Sequence, residues 1–249
     1  MTPSPGSSIF PASPWPIAAP SFIWPASVGQ NCKQLEGVVD EAALVFFQTH
    51  GCLEYDQEDL PPWMAGLNLS YHMHLPLDLP WDQGGQAAAE AAITVADKAA
   101  FCRLKYFVLH PPDNHHLFCD FHRHWCARGM PSHNLLLENI EGNDLLPLLP
   151  AIAETDCRIC LDYGHLSVYG QWPLVQEKLV QSRLAMLHLY APVGGHTHKG
   201  LTSLPDQDQD AVLQLLDMLP AGQTVVLEVF SWPELDTSLD IFSSWITQG

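Results

Sequence analysis

Eight short runs of almost unbroken apolar character punctuate this chain, each followed by an amphipathic segment. They fall at 22–28 (FIWPASV), 44–48 (LVFFQ), 69–75 (LSYHMHL), 106–110 (YFVLH), 134–138 (NLLLE), 158–162 (RICLD), 185–190 (AMLHLY) and 224–229 (TVVLEV). Strands buried on both faces read this way, because helices cover the outside of a parallel sheet while side chains fill its inside. The segments between the runs predict helices, and the alanine-rich QAAAEAAITVADKAAFCR has high intrinsic propensity. Eight strand–helix units in about 230 residues predict a compact (β/α)8 TIM barrel. An open doubly wound sheet is the alternative, but no glycine-rich phosphate loop follows the first run. Residues 1–20, rich in Pro and Ser, read as a flexible leader, and 21–249 as a single barrel domain.

The ends of these runs carry the chemistry. YHMH ends at His74, YFVLH at His110 and NLLLE at Glu138. RICLDYGH supplies Asp162 and His165, AMLHLY supplies His188, and TVVLE ends at Glu228. A glycine-rich loop adds His196 and His198 in GGHTHKG. In a barrel, the C-terminal strand ends form one face, where active sites assemble. Six successive strands therefore aim His, Asp or Glu at one centre. The chain has ten Lys and Arg against 28 Asp and Glu, so bases cannot neutralise Glu138, Asp162 and Glu228 together. Divalent cations compensate such carboxylates, since an unpaired buried charge is costly. Imidazole and carboxylate without thiolate suit Zn, Mn or Fe(II). Eight or so ligands exceed what one ion needs, which predicts two or three divalent ions, a set suited to phosphoester hydrolysis.

His72 and His74 raise a separate question, since strand alternation puts both on the inward face. Two strand rises separate them by about 7 Å, one barrel layer. His74 stands at the height of the other ligands. His72 lies deeper and reads as a core or ligand-orienting histidine.

Composition removes several classes of function. A formal net charge of -18 disfavours nucleic acid, whose non-specific affinity comes from basic contacts. The seven cysteines show no framework spacing and read as reduced thiols of a cytoplasmic protein. No apolar run reaches the roughly 20 residues of a membrane span, and the first twenty residues lack a basic n-region.

The series HLP, VLHP, LLLEN, LDYGH, HLY, HTHKG and LEV resembles the endonuclease IV-type, xylose isomerase-like barrel superfamily. The resemblance covers essentially the whole chain after the leader and implies metal ligands at His74, His110, Glu138, Asp162, His165, His188, His198 and Glu228. The aspartate expected just before the loop histidine is missing, with His196 or Thr197 in its place. Within that superfamily, HLPLDLPW and LEVFSWPELDTSL resemble the cobamide-remodelling phosphodiesterases. That likeness implies hydrolysis of the nucleotide-loop phosphoester of a small-molecule cobamide, giving cobinamide phosphate and an α-riboside. Glu138, Glu228 and Lys199 would then serve catalysis, Lys199 by touching the phosphate. Trp24, Tyr190 and Trp232 are candidates for lining the pocket, although ordinary rim packing is the better account of each.

Two rival readings stand beside this one. A single-metal sugar isomerase or epimerase needs one ion on a Glu, Asp, His, Glu quartet, which Glu138, Asp162, His188 and Glu228 supply, with the glutamates as acid and base. It leaves His74, His110, His165 and His198 without a necessary task. A corrinoid- or metal-binding protein without catalysis is the other.

Overall fold

The structure is a computed structural model that describes Phe10, residues 13–195 and residues 197–247. Eight parallel strands close a barrel in the order β1 (Ile17–Pro20), β10 (Thr224–Leu227), β7 (Leu184–Leu189), β6 (Arg158–Asp162), β5 (Leu135–Glu138), β4 (Phe107–Leu109), β3 (Ser70–His74) and β2 (Glu41–Val45). The predicted (β/α)8 barrel is therefore present. A hairpin of β8 (Ala191–Val193) and β9 (Thr197–Lys199) stands on the C-terminal face after β7. Helices α1 (Val28–Leu35), α2 (Thr49–Glu54), α3 (Gly85–Lys98), α4 (His115–Ala127), α5 (Leu149–Glu154), α6 (Tyr163–Val168), α7 (Lys178–Arg183), α8 (Asp206–Met218) and α9 (Trp232–Thr247) complete the units. None is long and apolar enough to cross a membrane.

The first strand differs from the sequence expectation. It is IAAP, inside the segment read as leader, and FIWPASV forms the loop that follows it. Pro25 offers no N–H to a ladder, and Asn31 holds the loop instead. Its Oδ1 accepts from the Ile23 and Trp24 amides, and its Nδ2 donates to Trp24 and Ala26 carbonyls. The chain from Pro14 onward already belongs to the barrel, with Gly222 N–H bonded to Pro14 and Val225 N–H to Pro16. Residues 1–9, 11 and 12 of the expected leader lie outside the described residues. The second strand likewise begins three residues earlier than LVFFQ, at Glu41. The other six strands fall within two residues of their predicted ends.

The core divides into two packed regions. One lies between sheet and helices; the other fills the lumen with Ala18, Ala43, Val45, Val108, Leu136, Cys160, Met186 and Val226. Such filling makes the barrel a packed body whose open chemistry is confined to one end. Below the C-terminal layer, His72 sits in register with Ala43, whose small side chain leaves space for the imidazole. His72 Nδ1 meets Glu41 Oε1 at 2.5 Å, and Glu41 Oε2 accepts from Thr224 and Ser70 hydroxyls at 3.2 Å. Both partners are buried, at 0% and 1% exposure.

Candidate metal centre

Six neighbouring strands deliver their last residues to one layer. His74, Glu138 and Asp162 end β3, β5 and β6; His110 and Glu228 directly follow β4 and β10; His188 is the penultimate residue of β7. Register sets the height, because Asp162 pairs with His188, and His188 with Val226. Glu138, Asp162, His188 and Glu228 are buried, and their ligand atoms lie within 4.8 Å of one another. His74 and His110 form a second group with the same Glu138.

Glu138 joins the two groups. Its Oε2 lies 3.0 Å from His74 Nε2 and 3.1 Å from His110 Nε2, while Oε1 lies 3.1 Å from His188 Nδ1. His188 Nδ1 also stands 3.3 Å from Glu228 Oε2 and 4.0 Å from Asp162 Oδ2. His74 donates from Nδ1 to the Leu75 carbonyl at 3.0 Å, which turns Nε2 toward the centre. A carbonyl behind an imidazole is the usual way a ligating histidine is oriented.

The electrostatics are those of a compressed cluster. Burial raises the Asp162 carboxyl to about 7; His165 opposes this, and Glu228 and Glu138 add to it. Burial also raises Glu138 and Glu228, but the histidines outweigh it and hold both well below the carboxylate range. Burial lowers His188, yet Cys160 and the two glutamates leave it well above the usual histidine value. Burial keeps His110 below that value.

The donor set fits a divalent cation. Asp162 Oδ1 caps α6 by accepting the His165 amide at 2.6 Å, whereas its buried Oδ2 has no hydrogen-bond partner. Among the described residues histidines are the only basic side chains that pair with the three carboxylates, and Tyr190 interacts with Asp162. An aimed, unpartnered oxygen beside two further carboxylates and an imidazole is what an O/N-ligated ion requires.

The remaining predicted residues surround this centre without joining either ligand group. His165 Nδ1 donates to the Asn139 carbonyl at 2.8 Å, leaving only Nε2 free. His198 stacks on Tyr190 with centroids 3.7 Å apart, and its Nε2 is 3.6 Å from Glu228 Oε2. Lys199 is turned to Glu234 at 3.2 Å, away from the task of touching a phosphate. Tyr190 is buried, and Trp24 and Trp232 are partly buried and stack on each other at 5.5 Å. His196 lies outside the described residues. His72 lies two residues before His74 on β3 and is hydrogen-bonded to Glu41.

Three supporting residues escaped the sequence reading. Asn139 ties β5 to β6, with Oδ1 accepting the Asp162 amide at 2.8 Å and Nδ2 reaching Gln171 at 2.8 Å. Its place directly after Glu138 was the available signal. Gly164 is required because a Cβ there would meet the Tyr190 ring. Glu41, at a strand start, showed no pattern linking it to His72.

No family model matches the chain, and no curated protein matches it. Solved structures do. A D-tagatose 3-epimerase-like protein aligns over 93% of this chain and 97% of its own, at 15% identity and a TM-score of 0.68. The barrel is shared with sugar epimerases. A 3-keto-D-glucoside 4-epimerase from E. coli aligns over 94% and 100%, at 11% identity and TM-score 0.61. An L-ribulose 3-epimerase aligns over 92% and 86%, at 15% identity and TM-score 0.55.

These matches correct the expectation of cobamide phosphodiester hydrolysis. The three structures that share this barrel over the whole chain are described as sugar epimerases or epimerase-like, and none of them as a phosphodiesterase.

Proposed function

We propose that this protein is a metal-dependent sugar epimerase or isomerase, which moves a proton at a carbon beside a carbonyl. The buried quartet Glu138, Asp162, His188 and Glu228, with no hydrogen-bond partner for Asp162 Oδ2, supports the metal site, and the likeness of the barrel to sugar epimerases over the whole chain supports the sugar chemistry. These four residues would hold one divalent ion, which when bound polarises the carbonyl and hydroxyl oxygens of the sugar. Glu138 Oε1 and Glu228 Oε2 both approach His188 Nδ1, at 3.1 and 3.3 Å. In this reading one carboxylate would take the proton from one face of the sugar and keep it, while the other, in its acid form, would give its own proton to the opposite face. His74 and His110 hold the second oxygen of Glu138 and so set its orientation.

A second ion is supported by its own observation. His74, His110 and Glu138 form a three-donor group, and the Leu75 carbonyl orients His74 as a ligand would be oriented. The third ion of the sequence expectation has no separate ligand group among the described residues.

The test is turnover of unphosphorylated ketoses and keto-glycosides by the Mn- or Zn-loaded protein in D2O. Epimer or isomer should accumulate with deuterium at the reacting carbon. Glu228→Gln and Glu138→Gln should each lower turnover by about 10²–10⁴-fold, the usual worth of a positioned acid or base. A panel of sugars returned unchanged and unlabelled refutes the reading. Metal analysis after dialysis counts the ions, and His74→Ala removes one if the second group holds one.

A further inference from the structure

An aromatic wall leads from the metal centre to solvent. His198, beside Glu228, meets the Phe230 ring edge-on at 5.4 Å; Phe230 lies 6.0 Å from Phe47, and Phe47 5.2 Å from Phe22. Phe47 packs against the lumen core and faces the mouth, whereas Phe22 is 46% exposed. Leu77, hydrogen-bonded through its amide to the Phe47 carbonyl, is 44% exposed on the same rim. All follow the C-terminal ends of adjoining strands: Phe22 follows β1, Phe47 β2, Leu77 β3 and Phe230 β10. An apolar strip on this side of the mouth is therefore continuous, through His198, with Glu228.

Charge restricts the ligand from the other side. Among the described residues, Lys199 is the only Lys or Arg on the loops of this face, and Glu234 pairs with it. The other bases lie on helices, beside helix ends or at the N-terminal ends of strands. Away from the ion that the carboxylates would hold, a phosphate on the sugar would meet no free ammonium or guanidinium among the described residues. Exposed apolar side chains that join a polar, ligand-ready centre are the mark of an amphipathic small molecule.

We propose that the substrate is an uncharged sugar bearing an apolar or aromatic substituent, with the sugar on the metal centre and the substituent along Phe230, Phe47 and Phe22. This rests on the sugar epimerase reading for the sugar half alone. Continuity with Glu228 through His198 favours a ligand here over a second protein copy.

Binding tests it without requiring turnover. Phenyl and methyl glucosides and glucose 6-phosphate are titrated calorimetrically into the Mn-loaded protein. The phenyl glucoside should bind at least about tenfold tighter than the methyl glucoside, as expected when an aromatic face is covered. The phosphate should bind no tighter than the methyl glucoside. In Phe22→Ala/Phe47→Ala, with metal content checked as unchanged, the phenyl preference should fall to within about threefold. Equal affinity of the two glucosides, a preference that survives the double substitution, or tighter binding of the phosphate overturns the proposal. A wild-type dimer that Phe22→Ala dissociates also overturns it, because the wall is then an interface between copies. The preference can fail while free sugars are still epimerised. Conversely, the preference can hold while no proton exchange occurs, which sinks only the catalytic reading.

Discussion

Replacing Glu41 by Leu should destabilise the barrel strongly while leaving the ligand layer composed as before. Glu41 supplies the acceptor for His72 Nδ1 and for the hydroxyls of Thr224 and Ser70, while His72 Nε2 has no partner at all. Removing the carboxylate leaves a fully buried imidazole with neither nitrogen bonded. The stranded imidazole is neutral at pH 7, so the loss is that of buried polar groups left unsatisfied, about 2–3 kcal/mol with the Thr224 and Ser70 hydroxyls also losing their acceptor. At about 2–4 °C per kcal/mol for a domain of this size, Tm falls by about 4–12 °C. The double variant Glu41→Leu/His72→Leu removes both polar partners at similar volume and should recover to within about 1–2 kcal/mol of wild type. Calorimetric melts of the metal-free protein in chelator measure all three without interference from ion binding. The pH dependence has a definite sign. Burial lowers His72 below the ordinary histidine value of 6.5, and Glu41 opposes it only in part. Burial raises Glu41, but His72 wins and lowers it below 4.5. The unfolded chain therefore binds more protons at both sites, so the pair's contribution is present at neutral pH and is lost below 6.5 and again below 4.5. A single-variant Tm within about 2 °C of wild type, or a double variant worse than the two singles added, refutes this account of the layer.

Metal affinity should rise with pH through about 7, because burial holds the Asp162 carboxyl protonated up to that value and an ion must displace the proton. Calorimetry in two buffers of different ionisation enthalpy reads the released proton, and Asp162→Asn should remove the step near 7 along with most of the affinity, leaving the proton that His188 must also release. Gly164→Ala should push the Tyr190 ring off His198 and cost about 1–3 kcal/mol through overpacking. Tyr190→Leu in the same background should return part of the lost Tm, and an unchanged melt of the single variant would show that the ring has room to move.

The strand ends were legible because the ladder, the apolar run and the ligand position share one period. Each of YHMH, NLLLE and RICLD ends within two residues of where its strand ends, so the last polar residue reports the mouth directly. The first strand was not legible. IAAP has less apolar bulk than FIWPASV, and its pairing with β2 and β10 draws on partners far along the chain. His72 could be placed one layer down by alternation, yet Glu41 as its partner could not, since nothing local couples residues 31 apart.

The chemistry was misread for a reason that the same layer explains. His, Asp and Glu at barrel strand ends specify that an ion can be held, and they do so equally for a hydrolase and an epimerase. What separates the two is the charge offered to the substrate around the ion. Bound ions can meet a phosphodiester themselves and a free lysine would add to them, and Lys199 stood in the right loop in sequence. In the fold its Nζ reaches Glu234, and Glu234 also accepts the Gly200 amide, so the lysine is part of the loop's own scaffold. That contact spans 35 residues and depends on how α9 leaves the last strand. Glu234→Gln therefore discriminates the readings. Freeing Lys199 should tighten glucose 6-phosphate relative to methyl glucoside by a few-fold at low salt, with the gain screened away at high ionic strength. If the substitution leaves the affinity ratio unchanged at both ionic strengths, the lysine is not what keeps phosphate out, and the carboxylates of the quartet carry that exclusion alone.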